Sequence, residues 1–163
     1  MDLESADLTG LIEHLLVRFH EPAYEDFDAI SGLVDRVTRA HGHQDPERFQ
    51  ALERTWATLR GELIPHFRKE ETILFPMLLR LDGAAAPASN GAHAAGPIQV
   101  MRHEHDGARH LLQQIRELCD DYDMPPEACP SWRSLYVALE SFERTLIEHI
   151  RIENDVLFVR VGC

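Results

Sequence analysis

A His-x-x-x-Glu motif occurs twice in this chain, and a Leu-Phe pair follows each copy at the same spacing. The motif residues are His66, Glu70, Leu74 and Phe75 in the first copy, and His149, Glu153, Leu157 and Phe158 in the second. Residues four apart lie on one face of an α-helix, about one turn from each other. Each copy therefore predicts a helix that presents an imidazole and a carboxylate side by side, and two such helices could face each other.

The period of the apolar positions predicts four long helices, over about residues 7–40, 46–81, 97–121 and 131–160. Asp45 is the expected N-cap of the second helix, before Pro46, and Ser131 is the expected N-cap of the fourth. The stretch 82–97, rich in Ala, Gly and Pro, is predicted to be a flexible loop. The expected fold class is all-α, an up-down-up-down four-helix bundle in which residues 1–163 form a single domain.

Each predicted helix has one seam of residues spaced three and four apart, and we expect these seams to face the core. The seams are Leu16, His20, Ala23, Phe27, Ile30, Val34 and Val37; Leu52, Trp56, Leu59, Leu63, His66, Glu70, Ile73 and Met77; Ile98, Met101, His105, Ala108, Leu112 and Ile115; and Leu135, Leu139, Phe142, Leu146, His149, Glu153 and Val156. Every seam is apolar except at one level. The polar residues at that level are His20, His66, Glu70, His105, His149 and Glu153.

Burying two glutamates in a bundle core is costly unless they are paired or bound to metal. A dinuclear metal site explains all six polar residues, with the four imidazoles as terminal ligands and the two carboxylates as bridges. Mixed nitrogen and oxygen ligands suit iron or manganese, and zinc also accepts them. Such a site leaves coordination positions open, which permits binding of a small diatomic molecule, redox chemistry or metal release.

A single His-x-x-x-Glu pair on a helix is usually a surface pair, so the metal prediction depends on both copies lying on apolar seams. His41 also continues the seam of the first helix, but it lies roughly 31 Å from His20 along a straight helix. We select His20 and keep His41 as the lesser alternative. Tyr24 is expected to pack against the core. The histidines expected at the surface are His14, His43, His93, His103 and His110.

Composition narrows the range of partners. The chain has 28 acidic and 16 basic residues and a formal net charge of -12, which disfavours nucleic acid and anionic membranes as partners. It contains no apolar run of about 18 residues and no basic region typical of a signal peptide at the N-terminus. Three widely spaced cysteines, Cys119, Cys129 and Cys163, favour reduced thiols and a cytoplasmic location.

Motifs along nearly the whole chain resemble the hemerythrin-like di-iron proteins, and among them the iron–sulfur cluster repair subgroup. The segments that carry the resemblance are Leu11–His20, His66–Met77, Gly96–Asp106, Pro125–Cys129 with Trp132, and His149–Phe158. The resemblance implies a centre of two non-haem iron ions, with an Fe-O-Fe bridge, held by His20, His66, Glu70, His105, His149 and Glu153. Oxygen-carrying hemerythrins match less well, because they have a His-x-x-x-His pair where this chain has His105 followed by Arg109.

The resemblance further implies protection against nitric oxide and oxidative stress, with damaged iron–sulfur proteins as clients that receive iron. Proteins of this subgroup typically carry an N-terminal domain with adjacent cysteines, which this sequence lacks, so steps that depend on those thiols are in doubt. Three alternatives stay open: a binder or sensor of nitric oxide or oxygen, a di-iron reductase of nitric oxide or peroxide, and a bundle with a purely structural polar layer. We expect a repair or binding protein rather than an enzyme, and a homodimer is left open.

Overall fold

The computed structural model describes residues 5–83 and 87–162, without the side chains of residues 87–93. Four long helices account for most of these ranges, and a short 3-10 helix, Asp120–Tyr122, lies between the third and the fourth. The first comprises Leu8–Leu15, Leu16–His20 and Glu21–His41; the second Pro46–Lys69, Glu70–Leu74 and Phe75–Asp82; the third Pro87–Leu118; and the fourth Pro130–Ile152, Glu153–Leu157 and Phe158–Arg160. The described ranges contain no strand, and the fold confirms the predicted all-α four-helix bundle. In these ranges no helix has both the length and the apolar character needed to cross a bilayer.

Two helix boundaries follow local capping chemistry. The Asp45 side chain accepts a hydrogen bond from the Arg48 backbone N–H at 3.2 Å, as expected of the N-cap before Pro46. The fourth helix begins at Pro130 with Cys129 as its N-cap, so the expectation that Ser131 would be the cap was wrong. Proline suits the first helical position because its missing N–H would have no partner there, and this moves the boundary back.

The third helix begins at Pro87, well before the expected start near residue 97, and Pro97 lies inside it. The prediction of a flexible loop was therefore wrong for residues 87–97, while residues 84–86 lie outside the described part. Pro87 fits a first helical turn, and the alanines that follow are strong helix formers. Ala94 is fully buried in the core, so tertiary packing adds to this local preference.

Two apolar clusters fill the bundle interior. The large cluster is formed by Ala23, Phe27, Ile30, Val34, Val37, Phe49, Leu52, Trp56, Leu59, Leu63, Phe67, Ala108, Leu112, Ile115, Cys119, Tyr122, Ala128, Trp132, Leu135, Tyr136, Leu139, Phe142, Leu146 and Ile150. The small cluster is formed by Leu8, Leu11, Ile12, Leu15, Leu74, Phe75, Leu78, Ala94, Ile98, Met101, Ile152, Leu157 and Phe158. The small cluster joins the starts of the first and third helices to the ends of the second and fourth, so neighbouring helices run antiparallel.

Short π-helical segments interrupt three of the four helices. They are Leu16–His20, Glu70–Leu74 and Glu153–Leu157, and each is closed by a backbone N–H that donates to the carbonyl five residues earlier. Such a segment contains one more residue than an α-helical turn, so the positions beyond it rotate by one residue.

Because of this rotation, part of the predicted seams was wrong. Leu16, Ile73, Met77 and Val156 were expected in the core, but Leu15, Leu74, Leu78 and Leu157 are the buried residues. The predicted seam of the third helix, which has no π segment, is buried at all six positions.

Candidate metal centre

A single polar layer separates the two apolar clusters. It consists of the six residues that the seams predicted, and each is at most 3% exposed: His20, His66, Glu70, His105, His149 and Glu153. Glu70 and Glu153 each begin a π segment, and His20 ends the third. The π segments, which often occur at functional sites, thus fix the backbone at three of the six positions.

The six side chains form two overlapping groups. One group contains His20 and His149, the other contains His66 and His105, and Glu70 and Glu153 belong to both. In each group, one nitrogen or oxygen atom from every residue lies within 4.8 Å of the others. Each histidine thus serves one group, whereas each carboxylate is shared. This is the arrangement expected of two metal ions bridged by two glutamates.

The facing atoms are close to one another. Glu70 Oε1 lies 3.1 Å from His66 Nε2, and Glu70 Oε2 lies 3.5 Å from His20 Nε2. Glu153 makes the equivalent approaches on the other side of the layer, 3.1 Å to His105 Nε2 and 3.2 Å to His149 Nε2. All four imidazoles therefore turn Nε2 towards the two carboxylates.

The buried carboxylates lack hydrogen-bond partners. Within the described part of the chain, all four carboxylate oxygens of Glu70 and Glu153, and Nε2 of His105, are buried without a hydrogen bond of good geometry. Their contacts with the imidazoles are ion-pair approaches only. Unsatisfied buried polar atoms are costly and rare in native proteins, and a bound cation would satisfy these. The nitrogen and oxygen donors fit iron or manganese, and zinc also accepts them.

Three of the four histidines are held from behind by a second side chain. Nδ1 of His20 lies 2.9 Å from Glu71 Oε1, and Nδ1 of His66 lies 2.7 Å from Glu104 Oε2. The third contact, at 3.2 Å, joins His105 Nδ1 to Asn154 Oδ1. Contacts of this kind fix the ring orientation and leave Nε2 free for a metal.

Two further side chains support these acceptors. The Tyr24 hydroxyl donates to Glu71 Oε1 at 3.3 Å, and Lys69 Nζ donates to Glu104. Sequence reasoning missed the roles of Glu71, Glu104 and Asn154. Each follows or precedes a predicted ligand directly in the sequence, and that adjacency was the only available signal.

In the metal-free layer, the carboxylates raise the pKa values of two of the four histidines. Burial disfavours the charged form of His66, but Glu70 and Glu104 outweigh burial and raise its pKa. Burial likewise opposes charging of His105, yet the carboxylates of Glu153 and Glu70 raise its pKa to about 9. These two imidazoles thus hold protons where the carboxylates require positive charge.

The pKa values of two other groups in the layer, His20 and Glu153, are lowered. Burial lowers the pKa of His20, and the neighbouring His149 lowers it further. Burial would raise the pKa of Glu153, but His149 and His105 hold that pKa well below its usual value. The layer therefore keeps a buried negative charge. The protonated histidines balance it in the metal-free chain, and a bound metal ion can balance it in their place.

The other histidines lie outside this layer. His41 contacts Cys129, with 3.2 Å between Nε2 and Sγ, and its ring lies 4.9 Å from that of Trp132. His43, His103 and His110 are exposed, as predicted, whereas His14 is half-buried. The predicted surface position of His93 concerns a side chain outside the described part.

Comparison with known proteins agrees with this geometry. Residues 11–161 match the hemerythrin HHE cation binding domain, so the chain belongs to the hemerythrin family. Its relatives include the iron-sulfur cluster repair proteins YtfE of Cronobacter sakazakii, Escherichia coli and Escherichia fergusonii. Each is 36% identical over 159 residues, which cover 98% of this chain and 68% of the relative. These matches confirm the family and the subgroup that the motifs resemble.

Proposed function

We propose that this chain is a di-iron protein that helps to repair damaged iron–sulfur clusters, and that it does so by supplying iron. The observation that carries the proposal is the pair of overlapping His-Glu groups with both carboxylates in common. The names of the relatives support the repair role, since they are described as iron-sulfur cluster repair proteins. The nitrogen and oxygen donors are compatible with iron, and membership of the hemerythrin family favours iron over manganese.

The side chains suggest how iron could be both held and released. His20 and His149 would bind one ion, His66 and His105 the other, and Glu70 with Glu153 would bridge them. Iron bound in this way supplies redox chemistry and open coordination positions. Two imidazoles and shared carboxylates leave each ion short of six ligands, so an incoming ligand from a client protein has a position to occupy.

Metal content tests the assignment of the ligands. We expect about two iron ions per chain after anaerobic loading, and almost none in Glu70→Gln or Glu153→Gln, because each carboxylate belongs to both groups. Asp35→Asn, at an exposed carboxylate, is the control and should keep both ions. Iron content is measured by mass spectrometry, with circular dichroism to establish folding. Full loading of both glutamine variants would refute the assignment.

Cluster assembly tests the role in repair. The iron-loaded protein is mixed with a cluster-free ferredoxin, sulfide and a thiol reductant, and visible absorbance reports the cluster. We expect assembly that matches the loss of iron from the donor, and no assembly with Glu70→Gln. Retention of all iron, together with a reversible spectral change on adding nitric oxide or oxygen, would instead favour the gas-binding alternative.

A further inference from the structure

The four candidate histidine ligands differ in the contact made by Nδ1, the ring nitrogen that faces away from the carboxylates. Three of them place Nδ1 against an acceptor, namely Glu71, Glu104 or Asn154. Nδ1 of His149 is also buried, but it has no hydrogen-bond partner in the described part of the chain. One ligand of the centre therefore lacks a contact that the other three share.

The missing contact interrupts a regular pattern around the bundle. Each acceptor belongs to the helix that follows its histidine along the chain, and each adjoins a ligand in sequence. Continued around the bundle, the pattern would place an acceptor for His149 on the first helix, beside His20. The neighbours of His20 are Phe19 and Glu21; the Phe19 ring stacks on His149 at 5.5 Å, and Glu21 is exposed.

No side chain in the described part of the chain replaces that acceptor with a hydrogen bond to Nδ1 of His149. The cavity that His149 lines has a volume of about 10 Å³, at the lower limit for a single water. Apolar side chains, among them Phe19 and Phe67, form most of its wall. Its two other polar residues, Asp26 and Thr145, make no hydrogen bond to Nδ1 of His149. A water molecule in this space would be a weaker, uncharged substitute for the carboxylates that face His20 and His66.

We propose that the two metal positions are unequal, and that the ion held by His20 and His149 leaves first. This inference rests on the proposed function and identifies which ion that function would donate. An acceptor behind a histidine raises its basicity and fixes its ring, and loss of such a partner weakens metal binding by about 10- to 100-fold. The His66–His105 position has two acceptors, whereas the His20–His149 position has one.

Chelator kinetics on the reduced, iron-loaded protein test the inequality. Ferrozine absorbance should rise in two phases of equal amplitude, one ion each, with rates separated by about 10- to 100-fold. Glu71→Ala and Glu104→Ala are matched variants, because these side chains are 29% and 31% exposed and each supports one position. Glu71→Ala should accelerate only the fast phase, and Glu104→Ala only the slow phase.

The possible outcomes distinguish failure of this inference from failure of the proposed function on which it rests. Release of both ions in one phase, or acceleration of the fast phase by Glu104→Ala, would overturn the inequality and leave the di-iron centre intact. Failure of the parent protein to bind two ions would instead overturn the proposed function. Iron content before chelation and circular dichroism of each variant exclude misfolding as the cause of a changed rate.

Discussion

At the residue scale, the candidate ligands differ in proton affinity as well as in position. Burial, reinforced by the neighbouring His149, lowers the pKa of His20, whereas Glu153 and Glu70 outweigh burial and raise the pKa of His105. A metal ion must displace the protons that His66 and His105 hold. The stability of the metal-free protein and that of the metal-loaded protein should therefore respond to pH with opposite sign.

We predict that the metal-free protein loses stability as pH rises from 6.5 to about 9. The pKa of His105 is about 9 in the folded chain against 6.5 unfolded, so the folded state holds this proton more tightly. The contribution of this proton to the free energy of unfolding is complete below pH 6.5 and lost above about pH 9. It amounts to no more than about 3 kcal/mol. His66 acts in the same direction, whereas the lowered pKa of His20 has its effect below 6.5.

Urea unfolding of the metal-free protein at pH 6.5 and pH 9.5 measures this change. His105→Gln should remove most of the pH dependence. For the parent protein, excess metal should reverse the sign of the pH dependence of stability, because metal binding requires deprotonated imidazoles. A metal-free protein that gains stability towards pH 9.5 would contradict the prediction.

At the scale of the helix, the three π segments explain where sequence reasoning succeeded and where it failed. His66 lies in α-helix, and Glu70 is the first residue of a π segment but its N–H still donates to the His66 carbonyl, so the spacing of four placed both correctly on one face. Ile73 lies beyond Glu70, where the extra residue has already rotated the helix. A fixed period of 3.6 residues cannot register such an insertion, because the apolar pattern around it looks helical on both sides.

A pair of neighbouring substitutions tests this rotation. Leu74 is 2% exposed and Ile73 is 59% exposed, although the uninterrupted period places Ile73 in the core. Leu74→Ala should cost about 2–5 kcal/mol, whereas Ile73→Ala should change the free energy of unfolding by less than about 0.5 kcal/mol. Urea unfolding of the metal-free variants measures both. A larger cost for Ile73→Ala would mean that the helix continues without a π segment.

At the scale of the whole molecule, the polar layer divides the core into parts of unequal size. The small cluster consists mostly of residues from helix ends, and its link to the large cluster passes through the polar layer. Buried carboxylates without partners weaken that link when no metal is bound. The end of the bundle that holds the small cluster should therefore open more easily than the other.

Hydrogen exchange should reveal this difference. We expect amides of residues 8–15, 75–82 and 94–101 to exchange faster in metal-free protein than those of residues 30–37, 52–63 and 135–146. Metal loading should slow exchange chiefly in the first set, because the ions connect all four helices at the layer. Uniform exchange across both sets, unchanged by metal, would show that the layer does not control local opening.

The whole structure also shows why part of the centre could not be predicted. The six residues of the layer follow from local spacing and from the rule that lone polar residues on apolar seams need a common partner. Glu71, Glu104 and Asn154 act on histidines 38 to 51 residues away, on other helices. Their contacts depend on how the helices are rotated about their axes, which spacing within one helix does not specify.

The shared carboxylates have a consequence for the order of events during folding. The first two helices form one hairpin, which carries His20, His66 and Glu70, and the last two form a second, which carries the other three residues. Each of the two His-Glu groups takes one histidine from each hairpin. Neither hairpin alone can complete a metal position, so metallation should follow docking of the two halves, and slight parting of the hairpins would be enough to let an ion leave.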